Sequence, residues 1–197
     1  MKRNIVFDVG EVLFSYRWID ALAETGIPYE EAQVIGPQMF ESPYWPGLDL
    51  GNGDYFELAR EIAKEYPKYE NEIMKFFTDV DNLYISRPRV WDEVERLKAK
   101  GYRLYILSNY PSYMFEKHTK DKAFMKCMDG ILVSYMVHLN KPNPEMYQEL
   151  FRRFEIKPEE SLYFDDKKEN TDMAVSLGMD SVTVMSEEHL LTELAKL

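Results

Sequence analysis

Asn4-Ile5-Val6-Phe7-Asp8-Val9-Gly10 is the stretch that decides the fold. Ile5, Val6 and Phe7 are apolar without alternation, the pattern of a short strand covered on both faces. Asp8-Val9-Gly10 ends it. Outward from this strand, similar runs recur at Arg103–Leu107, Gly130–Val133, Ser161–Phe164 and Ser181–Val184, with helical segments between them. Pro88 suits a first helical turn, Val90, Trp91, Val94 and Leu97 form the stripe behind it, and Gly101 stops it. Asn143-Pro144 reads as an N-cap followed by proline at the first helical position, with Met146, Leu150, Phe151 and Phe154 on one side. A further helix stops at Gly178, and a last one starts at Glu187. Strands alternating with helices imply right-handed crossovers and a mostly parallel, Rossmann-like α/β sheet.

From residue 15 to residue 87 the character changes to helical periodicity. Asp54-Tyr55-Phe56-Glu57 reads as a capping box opening a helix with Phe56, Ala59, Ile62, Ala63 and Tyr66 at helical spacing. A second helix over Tyr69–Val80 carries Ile73, Phe76, Phe77 and Val80. Glu41–Gly53, with two prolines and three glycines, reads as a loop. The expected organisation is a core of residues 1–14 and 88–197 with a helical module, 15–87, inserted after the first strand.

Composition narrows the function. The chain has 197 residues, 45% hydrophobic and 30% charged, with a formal net charge of −11. That is an ordinary globular balance, and its sign repels nucleic acid and anionic membranes. No apolar run approaches the roughly 20 residues of a membrane helix, and no signal-peptide pattern opens the sequence, so a cytoplasmic location is expected. Cys127 is the only cysteine, which leaves no partner for an intrachain disulfide and no thiolate cluster. Monomer and homodimer are both compatible with the sequence.

In parallel sheets, ligands bind outside the carboxyl ends of the strands. There the sequence places Asp8, Ser108-Asn109, the loop at Asn140-Lys141, and Asp165-Asp166. Each alone has a plain reading as a turn or cap residue. Together they form a chemical set. Crowded carboxylates need a cation, and oxygen ligands with a phosphate nearby suit Mg²⁺. Lys141 and the polar groups of Ser108 and Asn109 are suited to phosphate oxygens. An aspartate held in line can attack phosphorus.

Phe7-Asp8-Val9-Gly10-Glu11-Val12-Leu13, Leu107-Ser108-Asn109, Lys141-Pro142-Asn143-Pro144 and Tyr163-Phe164-Asp165-Asp166, followed by Glu169-Asn170, occur in that order. On these motifs the chain resembles the haloacid dehalogenase-like hydrolase superfamily over nearly its full length, and within it the glucose-1-phosphate phosphatase type. The resemblance implies a helical cap, residues 15–87, over a Rossmann-like core, and hydrolysis of a small phosphorylated metabolite such as a sugar phosphate. It implies Asp8 as nucleophile, Asp8, the Gly10 carbonyl, Asp166 and Asp165 around Mg²⁺, and Ser108, Asn109 and Lys141 on the phosphate. Asn170 would support the metal-site loop.

Many phosphatases of this superfamily carry a second aspartate, as general acid, where this chain has Gly10. Proton transfer therefore has no assigned residue here, and neighbouring Glu11 is not favoured for it. Two other readings follow from the same motifs: a metal-independent 2-haloacid dehalogenase, and a catalytically weak binding or regulatory module. Arg17 and Trp18, at the start of the helical module, are expected to face the substrate. Tyr44, Trp45, Tyr55 and Phe56 could line a sugar-binding face of that module but read first as its packing, and His118, His138 and His189 read as surface or loop histidines.

Overall fold

The computed structural model describes residues 2–197. Its centre is a five-stranded parallel sheet built from β1 (Asn4–Phe7), β4 (Arg103–Ser108), β5 (Gly130–Val133), β6 (Ser161–Asp165) and β7 (Asp180–Thr183), in the spatial order β5-β4-β1-β6-β7. The chain runs outward from β1 to β4 and β5, then returns to the other side of β1 for β6 and β7. β1 is thus the topological switch point, where ligands of such sheets bind.

Side-chain alternation divides the strands between two faces. Ile5 and Phe7 pack with Leu104 and Ile106 toward α6 (Pro88–Ala99) and α10 (Glu187–Leu194), contributing to a cluster with Val90, Val94, Leu190 and Leu194. Val6 points the other way, with Tyr105 and Tyr163, toward α8 (Pro144–Phe154) and α9 (Lys168–Ser176). Both faces are covered, which explains the unbroken apolar character of β1. Its register runs from Phe7 opposite Ile106 to Phe7 opposite Phe164, so Asp8 emerges between the ends of β4 and β6. A short helix, α7 (Ser112–Thr119), follows β4.

Between β1 and α6 lies a helical insert. It leaves and returns through a two-stranded antiparallel ribbon, β2 (Phe14–Tyr16) with β3 (Tyr84–Ser86), in which Tyr16 pairs with Tyr84. The insert holds α1 (Trp18–Glu24), α2 (Tyr29–Phe40), α3 (Trp45–Leu50), α4 (Tyr55–Lys64) and α5 (Glu70–Thr78). α4 begins as the sequence predicts, with Asp54 accepting hydrogen bonds from the backbone N–H of Phe56 and Glu57, both at 3.0 Å. The expected loop over Glu41–Gly53 instead contains α3. Its prolines and glycines are compatible with a helix because Pro46 lies in the first turn and Gly51, at φ +65°, ends it in the left-handed region. Among the described residues, no helix is long and apolar enough to cross a membrane.

Candidate active site

Asp8 is only 8% exposed, and Lys141 reaches it from the loop after β5. The Lys141 Nζ lies 3.0 Å from Asp8 Oδ2 and 2.7 Å from Asp165 Oδ2, and donates to the Leu107 carbonyl at 3.0 Å and the Tyr163 hydroxyl at 2.9 Å. Two bonds fix the base of that loop. Asn109 Nδ2 donates to the Lys141 carbonyl at 3.0 Å, and the Lys141 N–H donates to Asn109 Oδ1 at 2.8 Å. Asn109 is therefore first a clamp on Lys141, at the mouth of the cavity, rather than a free phosphate donor. Ser108 Oγ is buried and unpartnered beside Asp8. A buried hydroxyl without a partner costs free energy unless something fills the site.

The two acids after β6 differ. Asp165 is fully buried. Its Oδ1 accepts from the Lys167 N–H at 2.8 Å, its Oδ2 accepts from Lys141 and the Tyr163 hydroxyl, and Asn170 Nδ2 lies 3.0 Å from both oxygens. Burial raises the Asp165 pKa, but Lys141 and these hydrogen bonds outweigh it and hold the carboxyl below its ordinary value. This saturated carboxylate anchors Lys141 from behind; the ligand role expected for it conflicts with oxygens already committed to donors. Asp166 is half-buried and opens into the cavity with Asp8, Gly10, Lys141 and Asn170.

One oxygen from each of Asp8, Asp165 and Asp166 lies within 4.8 Å of the others. Burial, moderated by Lys141 and reinforced by Asp165 and Asp166, pushes Asp8 up to about 7. Burial and Asp165 likewise raise Asp166. Three carboxylates against two ammonium groups, Lys141 and the more exposed Lys167, leave the cluster short of positive charge. Hard oxygen donors with that deficit fit a divalent cation such as Mg²⁺.

Beside this polar cavity lies a second one of about 190 Å³, lined chiefly by Tyr16, Trp18, Phe40, Trp45, Phe76 and Tyr110. Tyr16, Trp18, Phe40, Asn109 and Lys167 line both. The rings interlock edge to face, Trp18 with Phe40 at 5.6 Å and Phe40 with Trp45 at 4.6 Å between centroids. Trp18 thus lines the cavity. Its ring crosses α2 where Gly36 stands, and a Cβ there would meet Trp18 Cζ3 at 1.9 Å.

Arg17 is not at the cavity. Its guanidinium pairs with Glu24 and donates to the Asn82 carbonyl at 3.1 Å, tying the insert's first helix to its exit. Trp45, read from sequence first as packing, lines the wall. Lys167 and Asp49 were not singled out in the sequence. Asp49 stands on α3 inside the expected loop, and burial pushes it up to about 7 despite Lys167 and Lys141. Arg87 was also missed. It is buried and binds Glu11 and Ser15 side chains and the Glu11 and Val12 carbonyls, bracing the turn after Asp8. The Glu11 carboxylate accepts from the Tyr16 N–H at 2.7 Å as well, so it is structural.

The family model of the haloacid dehalogenase-like hydrolases matches residues 2–178. The chain belongs to that family and is a hydrolase. It is 22% identical over 174 residues to a sesquiterpene phosphatase of Aspergillus oryzae, covering 88% of this chain and 85% of that one. It is 24% identical to a D-ribitol-5-phosphate phosphatase of Bacteroides thetaiotaomicron, covering 92% and 91%. Other curated relatives are longer, and the chain spans 37% of one and 19% of another. Among solved structures, a HAD family enzyme from Bacteroides thetaiotaomicron in complex with magnesium and inorganic phosphate shares the fold, with a TM-score of 0.76, 20% identity, and 94% and 96% of the two chains covered.

Proposed function

We propose that this haloacid dehalogenase-like hydrolase is a Mg²⁺-dependent phosphatase of a small monoester whose organic group is apolar. The observation that carries this reading is the junction of two cavities: Asp8, Lys141 and Asp166 line or adjoin one, and the aromatic cavity opens beside it. Its relatives include phosphatases of both terpene and sugar substrates by name. A sugar would lie against Trp18, Phe40, Trp45 and Phe76 and have to find its hydrogen-bond partners among Asp49, Asn109, Lys167 and the tyrosine hydroxyls at the edges of that wall. An apolar group gains from the same burial, and a dry cavity of about 150 Å³ holds benzene in a well-studied case.

In this reading residues 15–87 act as a cap over a core of 1–14 and 88–197, excluding water and selecting the organic group. Asp8, Asp166 and the Gly10 carbonyl would hold Mg²⁺, which when bound supplies charge neutralisation on the phosphoryl oxygens. Asp8 attacks phosphorus and carries the phosphoryl group as an aspartyl-phosphate. Lys141, fixed by Asp165, Asn109 and the Leu107 carbonyl, offsets charge on the phosphoryl oxygens, and Ser108 Oγ gains in the phosphate the partner it otherwise lacks. A 2-haloacid would bring its carboxylate to a cluster already negative in sum, which disfavours the dehalogenase reading.

The test is phosphate release from a panel of isoprenyl, aryl and sugar phosphates with Mg²⁺. Turnover lost on chelation and in Asp8→Asn, and fastest on isoprenyl or aryl esters, is expected. No turnover of any ester by the magnesium-loaded protein contradicts the reading.

A further inference from the structure

Breaking an ester bond to phosphorus places an electron pair on the departing oxygen, which then needs a proton. Since that oxygen joins the phosphorus to the organic group, it must sit at the junction of the polar and aromatic cavities. Most polar side chains there are already committed. Lys141 is locked between Asp8 and Asp165, Asn109 is clamped to the Lys141 peptide, and Glu11 is held by Arg87 and the Tyr16 N–H.

Tyr16 lines both cavities. Its ring lies against Gly10. A Cβ on Gly10 would meet Tyr16 Cε2 at 2.7 Å and its hydroxyl oxygen at 3.0 Å. The phenol thus fills the space that any side chain at position 10 would occupy, two residues beyond Asp8. Its backbone is fixed on three sides, by pairing with Tyr84 across the β2–β3 ribbon, by Glu11, and through the turn that Arg87 braces. Tyr110 packs beside it, with ring centroids 6.2 Å apart, and is itself held by a 2.6 Å hydrogen bond to His118.

Resting on the phosphatase reading, we propose that the Tyr16 hydroxyl is the proton donor to the leaving-group oxygen. As the Asp8 carboxylate forms its bond to phosphorus and the ester P–O bond breaks, the electron pair on the departing oxygen takes the Tyr16 proton. Burial and the neighbouring Tyr110 hydroxyl raise the Tyr16 pKa well above the ordinary phenol value, so the proton stays on Tyr16 until the departing oxygen takes on the charge of an alkoxide, a base about as strong as hydroxide, whose conjugate acid has a pKa of about 15.7. The water that then attacks the aspartyl-phosphate passes its proton to the Tyr16 phenolate. Phosphate leaves, and Asp8 and Tyr16 return to their starting forms.

The experiment compares Tyr16→Phe with the wild type on para-nitrophenyl phosphate and phenylethyl phosphate. The first leaving group departs without a proton and the second does not. Phenylalanine keeps the ring on Gly10 and removes only the hydroxyl. The expected result is a fall of about 100-fold in kcat/KM for phenylethyl phosphate, the lower end of general-acid contributions, with para-nitrophenyl phosphate nearly unaffected. Asp49→Asn and Lys167→Met, the other ionisable groups facing the aromatic cavity, are expected to lower both substrates alike. Equal loss on both substrates in Tyr16→Phe, no loss, or a leaving-group dependence that appears in Asp49→Asn or Lys167→Met instead, overturns the assignment while leaving Asp8-dependent turnover in place. Absence of wild-type turnover on both substrates and on every ester of the panel overturns the phosphatase reading and this assignment with it.

Discussion

Asp165 touches no open cavity, yet it governs the charge of the site. Its two oxygens take Lys141, Tyr163, Asn170 and the Lys167 N–H, and the buried Lys141 depends on it. Removing one member of a buried ion pair strands the other, at about 3–5 kcal/mol. Asp165→Ala is therefore expected to lose about that much in urea unfolding with chelator present, and a loss under 1 kcal/mol would contradict the anchoring role. Asp8 is the opposite case. Asp8→Asn removes one of three crowded acids and leaves Lys141 its closer partner, so unfolding of the metal-free variant should occur at no lower urea concentration than in the wild type.

His118 gives a prediction in pH. Contrary to its reading as a surface or loop residue, it is fully buried on α7, with Nε2 2.7 Å from the Val80 carbonyl and Nδ1 facing the Tyr110 hydroxyl. Burial lowers its pKa, opposed by the Val80 carbonyl and Asp81 and aided by Lys122. The unfolded chain then binds a proton that the folded one refuses. This part of the stability is complete above the ordinary value near 6.5 and is lost as pH falls below it. Unfolding free energies of wild type and His118→Gln, measured from pH 7 to 5, should converge toward acid; a constant gap would contradict it. Gly10→Ala adds a Cβ against Tyr16, and should impair turnover of alkyl phosphates more than aryl ones, as is expected of Tyr16→Phe.

Among elements, those announced by caps and breakers were legible. Asn143 accepts from the Glu145 N–H at 3.0 Å and Pro144 starts α8, as the sequence predicts, and Gly178, at φ +88°, follows α9. Asp54 caps α4, and Asp54→Ala should cost about 1 kcal/mol in chemical denaturation. The ribbon of β2 and β3 escaped notice because strands of three residues give no readable alternation. α3 escaped because its signals are those of a loop, and its six residues show no period. Those two elements carry Tyr16, Trp45 and Asp49, so the gap in reading local structure became a gap in reading the site.

Across the whole molecule, the polar half of the site was legible because parallel topology brings strand ends together wherever they lie in sequence. Asp8, Ser108 and Asp165-Asp166 emerge from three adjacent strands, and Lys141 arrives from the loop after a fourth. Of the apolar half only Trp18 was singled out as facing the substrate, because Phe40, Trp45 and Phe76 come from three further helices whose packing no local pattern records. Long-range bonds such as that of Arg87 to Glu11 are equally silent in sequence. The most direct measurement is mass spectrometry of protein acid-quenched during turnover of para-nitrophenyl phosphate with Mg²⁺. One phosphoryl group on the peptide that contains Asp8, absent in Asp8→Asn and in chelator, is the predicted result. Turnover with no phosphoryl group on that peptide, or undiminished in Asp8→Asn, would contradict Asp8 as the nucleophile.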